Sequence, residues 1–393
     1  MGADRNTAPE RAELSRVDSA RASPQPASMM RRNLAWLACA IGCASTAAES
    51  APSDVSLGVD VGPDLGAEVG SVALDAGVDV SVELPAPPKY PNDGVLRLNQ
   101  LQHRATHNSY HVAPEGAAPG GPWTYTHLPL DQQLATQGVR AFELDVTDEG
   151  PGEEGLRVYH VAILDDRTVC DTLAACLKQI RTWSDAHRDH APIVVQIEPK
   201  NAIGKGGQGL LRLDASILAV FGADRLVRPP DVQKSAPTLR EAVLTGTAWP
   251  TLGEARGKLV FALNGSDETN RGYVKAHASR ADLVVFPYLD PPDPDAAFVI
   301  RNDAPAAAKE ITALVTQGFI VRTRADTDGV EAVTNDRTVQ QAALQSGAHL
   351  VSTDFPAKVP GTDYWLELPG GTPSRCNPVS APPSCTSGDI ERP

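Results

Sequence analysis

The strongest constraint on the fold is a regular alternation of two kinds of segment from about residue 96 onward. Short apolar runs typical of buried strands alternate with longer runs of helical periodicity. The predicted strands are 102–107, 139–146, 156–163, 192–198, 258–263, 282–288, 318–324 and 348–353. The predicted helices include Leu130–Gln137, Thr172–His187, Gly209–Phe221, Leu239–Leu244, Ala304–Thr316 and Thr338–Ser346. This alternation predicts an α/β fold of the (β/α)8 TIM type, although a doubly wound open sheet would show a similar pattern.

Polar residues near the predicted strand ends favour the barrel over the open sheet. Side chains two positions apart on a strand share a face. Three such sets occur: Glu143 with Asp145, Gln196 with Glu198 and Lys200, and Arg322 with Arg324 and Asp326. They stand late in their strands, where barrel enzymes build their sites.

Four short segments bring ionisable side chains together at these ends: 106–110, 142–146, 158–160 and 195–200. Taken alone, each has an ordinary explanation, because a histidine near a strand end is more often structural than catalytic. Two carboxylates two positions apart are more often a solvated strand face. The occurrence of four such segments at successive strand ends favours a shared site and points to a metal-assisted phosphodiesterase.

The oxygen-bearing side chains of these segments suit a hard cation. Ca2+ takes about six to eight oxygen ligands in flexible geometry. Four of them are predicted to come from Asn108, Glu143, Asp145 and Glu198. Zinc is less natural here because no cysteine is near. His107 and Asn108 are adjacent, so both can face the site only if the strand bends between them.

The remaining groups have predicted roles in phosphodiester cleavage. His107 is predicted to hydrogen-bond the phosphate and stabilise the transition state, and His160 to protonate the leaving alcohol. His111 and His127 follow the first strand and are expected to be loop residues. The predicted substrate contacts are Lys200, Arg324, Tyr288 and Asp326.

The N-terminal part of the chain reads as a targeting segment followed by a spacer. Arg31 and Arg32 precede a short apolar run, 34–42, that is too short to span a bilayer and is typical of a signal segment. Cys39 and Cys43 each end a sequence that resembles a bacterial lipoprotein cleavage box, so we expect export with a lipid anchor; plain secretion is the alternative.

Composition divides the whole chain into four parts. We expect an upstream extension and signal over 1–43, a disordered acidic linker over 44–91, the barrel over 92–368 and a Pro/Ser-rich tail over 369–393. The net charge is −14 with no long basic run, which argues against a nucleic-acid partner.

The four cysteines outside the signal form two close pairs. Cys170 with Cys176 and Cys376 with Cys385 suit disulfides in an oxidising compartment, with four free thiols as the alternative.

Several motifs together resemble a known family. Arg104–Tyr110, Gly138–Arg140 running into Glu143–Val146, and Tyr159-His160 resemble the catalytic X-region of phosphatidylinositol-specific phospholipase C. Further segments resemble its calcium-dependent bacterial branch, and the resemblance covers about residues 96–368. These segments are 170–173, 176–177, 193–200, 249–252, 257–258, 322–326 and 352–356.

This resemblance implies a (β/α)8 barrel that cleaves phosphatidylinositol, releasing diacylglycerol and a cyclic inositol phosphate that can then be hydrolysed. It implies that His107 and His160 are catalytic, that Lys200 binds substrate, and that the acidic cluster with Asn108 binds Ca2+. We further expect a monomer that works at a membrane surface. Two alternatives stay open: a glycerophosphodiesterase, whose usual His-Arg-Gly is poorly matched by His103-Arg104-Ala105, and a non-catalytic barrel that binds inositol headgroups.

Overall fold

The computed structural model describes residues 89–117, 121, 123–151, 155–201, 208–327 and 329–392. The predicted signal, both candidate lipidation cysteines and nearly all of the acidic linker lie outside these residues.

Within the described residues, eight parallel strands form the wall of a barrel. They are β1 (Leu101–Thr106), β2 (Ala141–Asp148), β4 (Ile193–Pro199), β5 (Leu259–Leu263), β6 (Phe286–Pro287), β7 (Phe298–Ile300), β8 (Ile320–Arg324) and β9 (Leu350–Thr353). Hydrogen-bonded neighbours follow the order β6-β5-β4-β2-β1-β9-β8-β7. A single parallel bridge between Tyr288 and Phe298 joins the two ends, so the predicted TIM-type barrel is confirmed as a nearly closed one.

Two short strands lie outside the wall. β3 (Leu156–Val158) pairs antiparallel with β2, and β10 (Ser374–Cys376) pairs antiparallel with β1. The prediction that 156–163 forms a barrel strand was therefore wrong, and the missing wall strand is the three-residue β7. The connection from Asp148 to Leu156 is too short for the crossover that a parallel neighbour needs, which is about a dozen residues or more.

Helices cover the outside of the wall. They are α1 (Leu130–Thr136), α2 (Leu173–Ala186), α3 (Gln208–Phe221), α4 (Pro229–Gln233), α5 (Leu239–Leu244), α6 (Leu252–Ala255), α7 (Asp267–Ala276), α8 (Ala304–Thr316), α9 (Val330–Thr334) and α10 (Thr338–Gln345). Each of the six predicted helices is present to within one residue at either end. Thr172 caps α2 by accepting a hydrogen bond from the Ala175 amide at 3.1 Å. In the described part of the chain, no helix combines the length and apolarity that crossing a membrane requires.

The segment after residue 369 packs against the N-terminal ends of the strands, which we call the barrel floor. Ile390 is fully buried there. Glu391 accepts hydrogen bonds from the Arg140 guanidinium at 2.8 and 2.5 Å, in a pair that is almost completely buried. Arg256 connects the two ends of the described chain, because it donates to Asp93 at 2.7 Å and to the Ile390 carbonyl at 2.8 Å.

Both predicted disulfides are confirmed. Cys170 and Cys176 are bonded across the start of α2, with their Cα atoms 5.1 Å apart. Cys376 and Cys385 are bonded within the C-terminal segment, with a Cα separation of 6.0 Å.

Candidate active site

The predicted site residues gather at the C-terminal ends of the strands, the opposite end of the barrel from the floor. His107 follows β1, Glu143 and Asp145 lie on β2, and Arg324 ends β8. Asp354 follows β9 immediately.

His107 lies between a carboxylate and a guanidinium. Its Nδ1 is 2.8 Å from Asp354 Oδ1, and its Nε2 is 3.2 Å from Arg324 Nη1. A guanidinium only donates, so Nε2 accepts and Nδ1 donates to Asp354. Burial and the Arg324 charge lower the pKa of His107 well below its ordinary value, which favours the neutral ring. The His107 side chain is still 22% exposed, so a substrate can reach it.

The chain bends directly after His107. Asn108 has a φ of +41°, in the left-handed region that asparagine tolerates better than most residues. This is the bend that was expected if His107 and Asn108 are both to face one site. The Asn108 side chain is buried beside the hydroxyl of Tyr125.

Three carboxylates cluster next to this group. Asn264, at the end of β5, donates from Nδ2 to Glu143 Oε1 at 3.2 Å and to Glu198 Oε2 at 3.1 Å. Lys200 Nζ lies 3.0 Å from both Asp145 Oδ2 and Glu198 Oε1. Glu143 is also paired with the buried Arg322, at 2.7 Å.

The surroundings of Asp145 show whether this cluster suits a cation. Its carboxylate is buried, and Lys200 Nζ lies 3.0 Å from its Oδ2. Burial and the neighbouring Glu198 raise the pKa of Asp145 to about 8. Asp145 and Glu198 share the one Lys200 ammonium, which leaves negative charge that a hard cation would neutralise, so the donor set fits calcium.

The carboxylates do not converge on one point. Among the described residues no group of three or more His, Cys, Asp or Glu side chains has the arrangement of a metal site. Lys200, Asn264 and Arg322 instead hold the carboxylates in contacts within the protein.

His160 lies two residues after β3, in the segment that leads to α2 rather than on a wall strand. Its Nδ1 is 2.8 Å from Asp165 Oδ2, and its side chain is 23% exposed. Trp123 approaches it edge-on, with the ring centroids 5.9 Å apart. His111, expected to be a loop residue, is fully buried and places Nε2 2.8 Å from the other oxygen of Asp165.

Two predicted substrate contacts have other partners. Tyr288 is buried and donates to Gln196 Oε1 at 2.7 Å inside the barrel. Asp326 is fully buried; its Oδ1 accepts from the Asp354 amide at 2.9 Å and its Oδ2 from the Tyr364 hydroxyl at 3.2 Å. Both side chains therefore contact protein partners, and their contact with substrate stays a prediction.

Sequence reasoning assigned no role to Asp354, Asp165, Asn264 or Arg322. Asp354 directly follows a predicted strand, so its position carried a usable signal. Asp165 lies in a turn and carried none.

The comparisons with known proteins bear on this site as a whole. A family model described as phosphoinositide phospholipase C, Ca2+-dependent, matches residues 149–378, which is more than half of the chain. The chain belongs to this family. It is therefore a phosphoinositide phospholipase C of the Ca2+-dependent class, as predicted. The matched range includes His160, Glu198 and Arg324 and begins directly after the last residue of β2, so β1 and β2 lie outside it.

Two solved structures with TM-scores above 0.5 support the same fold for this phospholipase. The chain is similar to a calcium-dependent phosphoinositol-specific phospholipase C from a Gram-negative bacterium, Pseudomonas sp, with 21% identity, a TM-score of 0.53 and coverage of 74% of this chain and 99% of that one. A myoinositol complex under the same protein name gives 20% identity, a TM-score of 0.54 and coverage of 73% and 97%. A Ca2+-dependent phosphatidylinositol-specific phospholipase C from Streptomyces antibioticus gives 22% identity, a TM-score of 0.49 and coverage of 66% and 95%. No curated protein sequence matches the chain.

Proposed function

We propose that this phospholipase cleaves phosphatidylinositol by acid–base catalysis between His107 and His160. A ring hydroxyl of inositol next to the phosphate attacks phosphorus, the bond from phosphorus to the diacylglycerol oxygen breaks, and a cyclic inositol phosphate forms. The observation that carries the proposal is that each histidine is backed by a buried carboxylate, Asp354 at 2.8 Å and Asp165 at 2.8 Å, at the mouth of one barrel.

His107 would take the proton of the attacking hydroxyl. Its neutral ring has Nδ1 directed at Asp354, which would stabilise the imidazolium as it forms. Arg324 lies 3.2 Å from the reactive nitrogen and would donate to a phosphate oxygen as charge develops there. This differs from the expectation that His107 only stabilises the transition state, because a neutral histidine backed by a carboxylate has the features of a base.

His160 would return a proton to the departing oxygen. Its Nδ1 is committed to Asp165, so Nε2 is the nitrogen available for the leaving group. Lys200 would hold phosphate or inositol oxygens as a point charge.

Asn108, Glu143, Asp145 and Glu198 would hold Ca2+. When bound, the cation supplies positive charge against the phosphate and lowers the pKa of a coordinated hydroxyl. The buried Asp145 carboxylate, which shares the Lys200 ammonium with Glu198, supports this assignment.

An apolar rim supports action at a lipid surface. Of the seven large apolar side chains exposed in the described residues, five lie in segments that leave the C-terminal ends of wall strands. They are Leu128, Ile163, Leu164, Val330 and Val333. Ile163 is 91% exposed and has a φ of +70°, which is strained for a β-branched residue. Apolar side chains that ring a catalytic mouth suit contact with acyl chains and lipid headgroups.

The proposal includes an exported monomer, held at the bacterial envelope by a lipid on Cys39 or Cys43 or else secreted. It rests on the signal-like run and the two lipobox-like sequences. Replacing both cysteines with serine should release the protein from membrane fractions or block its processing. If the double variant is processed normally and stays with membranes at high salt, plain secretion or another attachment applies.

The chemistry is tested by following phosphatidylinositol cleavage with phosphorus NMR, with and without EGTA. His107→Ala and His160→Ala should each lower turnover by about 10²–10⁴-fold, the usual contribution of a positioned acid or base. His187→Ala, which removes a histidine stacked on Trp183 on an outer helix, is the matched control and should leave turnover unchanged. Near wild-type activity in either site variant would refute the assignment.

The lipid surface is tested separately. The double variant Ile163→Ser, Leu164→Ser should lose activity on phosphatidylinositol vesicles while keeping its activity on a short-chain substrate below its micelle concentration. The control pair Val95→Ser, Leu244→Ser removes exposed apolar side chains elsewhere. Equal losses in both pairs, or on both substrates, would contradict a rim that contacts lipid.

A further inference from the structure

One buried carboxylate is shared by two histidines at the mouth of the barrel. Asp165 Oδ2 lies 2.8 Å from His160 Nδ1, and Asp165 Oδ1 lies 2.8 Å from His111 Nε2. The Asp165 and His111 side chains are completely buried, whereas His160 is 23% exposed. The arrangement therefore runs from the interior of the protein to the open site.

The hydrogen bonds fix how each ring is used. His111 Nδ1 lies 3.0 Å from the carbonyl oxygen of Tyr125, and a carbonyl only accepts. Its other nitrogen, Nε2, faces the Asp165 carboxylate, so the His111 ring is held at both nitrogens. Asp165 is thereby held from one side, and its free oxygen holds the Nδ1 of His160.

The contact between His111 and Asp165 is not needed to join the segment after β1 to the segment after β3. The backbone already connects them, because the Val169 amide donates to the Tyr110 carbonyl at 2.8 Å and the Val112 amide to the Arg167 carbonyl at 3.2 Å. The His111–Asp165 contact is therefore an addition to a backbone connection that already holds the two segments together.

We propose that His111 and Asp165 are positioning residues for the general acid. His111 orients Asp165, and Asp165 orients the His160 ring so that Nε2 meets the leaving oxygen. The inference rests on the proposed function, since it presupposes that His160 is the acid. It predicts that damage to either residue slows the step in which the leaving group takes a proton and leaves substrate binding intact.

The test compares two soluble inositol phosphodiesters that differ only in the leaving group. An alkyl alcohol needs a proton as it leaves, whereas p-nitrophenol leaves as a stable anion. His111→Gln and Asp165→Asn should each lower kcat on the alkyl ester at least about tenfold, a part of the about 10²–10⁴-fold that an acid contributes. The kcat on the nitrophenyl ester should fall by less than about threefold, with KM unchanged on both. Asp165→Asn keeps the shape of the side chain, so it serves if His111→Gln does not fold.

The chain offers a matched control. His277 places Nδ1 2.9 Å from the Tyr273 carbonyl and Nε2 2.7 Å from Asp214 Oδ2, which repeats the His111 arrangement away from the site. His277→Gln should change both esters equally. His160→Ala is the reference, because it must show the same dependence on the leaving group.

The outcomes separate the two proposals. If His160→Ala affects both esters equally, the acid assignment itself fails. If His160→Ala shows the dependence but His111→Gln and Asp165→Asn leave kcat unchanged or lower both esters alike, the positioning role is overturned and the proposed function stands.

Discussion

Low pH should destabilise this protein because of a buried histidine, His349, that lies outside the candidate active site. His349, just before β9, is fully buried. The Val321 amide donates to its Nδ1 at 3.1 Å, and its Nε2 donates to the Asn99 carbonyl at 2.9 Å. The neutral ring satisfies both partners, and a second proton would break the contact with Val321. Burial accordingly lowers the pKa of His349 from 6.5 to about 4.

The sign and size of the effect follow from linkage. Between about pH 6.5 and 4 the unfolded chain binds a proton at this histidine and the folded chain does not. The free energy of unfolding therefore falls as the pH is lowered through this window, and the contribution of His349 is fully present above pH 6.5. At about 1.4 kcal/mol per pH unit, the loss by pH 4 is about 3 kcal/mol.

The assay is urea unfolding of wild type and His349→Gln at pH 7 and pH 4. Glutamine can accept from Val321 and donate to Asn99 without titrating, so the variant should lose about 3 kcal/mol less than wild type between the two pH values. His103, His127 and His190 also have lowered pKa values because they are buried, so both proteins should still weaken in acid. Identical losses, within about 0.5 kcal/mol, would refute the reasoning.

Three further results are expected. Ca2+ should raise Tm, and Asp145→Asn should abolish that rise, because a ligand that binds only the folded state stabilises it; calorimetry without a Ca2+ effect on wild type would count against the site. Glu391→Gln should cost about 3–5 kcal/mol by leaving Arg140 buried without its partner, and unchanged urea unfolding would contradict this. Replacing Cys376 and Cys385 with serine should lower the free energy of unfolding by at most about 2–3 kcal/mol relative to the oxidised wild type, and urea unfolding curves that coincide would contradict this.

The alternation of segments predicted the barrel but not every strand. Helices over 173–186 and 304–316 have caps and long apolar faces, so their positions could be predicted closely. The run at 156–158 has strand composition, yet its partner is decided by the length of the turn before it. β7 has three residues, too few for a periodic pattern to appear.

The site residues also divide into those that the sequence could predict and those that it could not. Residues on neighbouring parallel strands, such as Asp145 and Glu198, could be predicted to meet because parallel strands end together. Asp326 follows the same rule but bonds to the Asp354 amide, a tertiary contact that spacing does not encode. Asp165 depends on the path of a turn after β3, so its two histidine partners were invisible in the sequence.

The two ends of the described chain lie close together at the barrel floor. Asn92 Nδ2 donates to Asp389 Oδ2 at 2.8 Å, so the two ends of the described chain meet on the side away from the mouth. A circular permutant that joins residue 392 to residue 89 through a short linker should therefore keep the barrel and its mouth intact. A domain fused to either end would lie at the barrel floor. It would therefore not block the access of a lipid to His107 and His160.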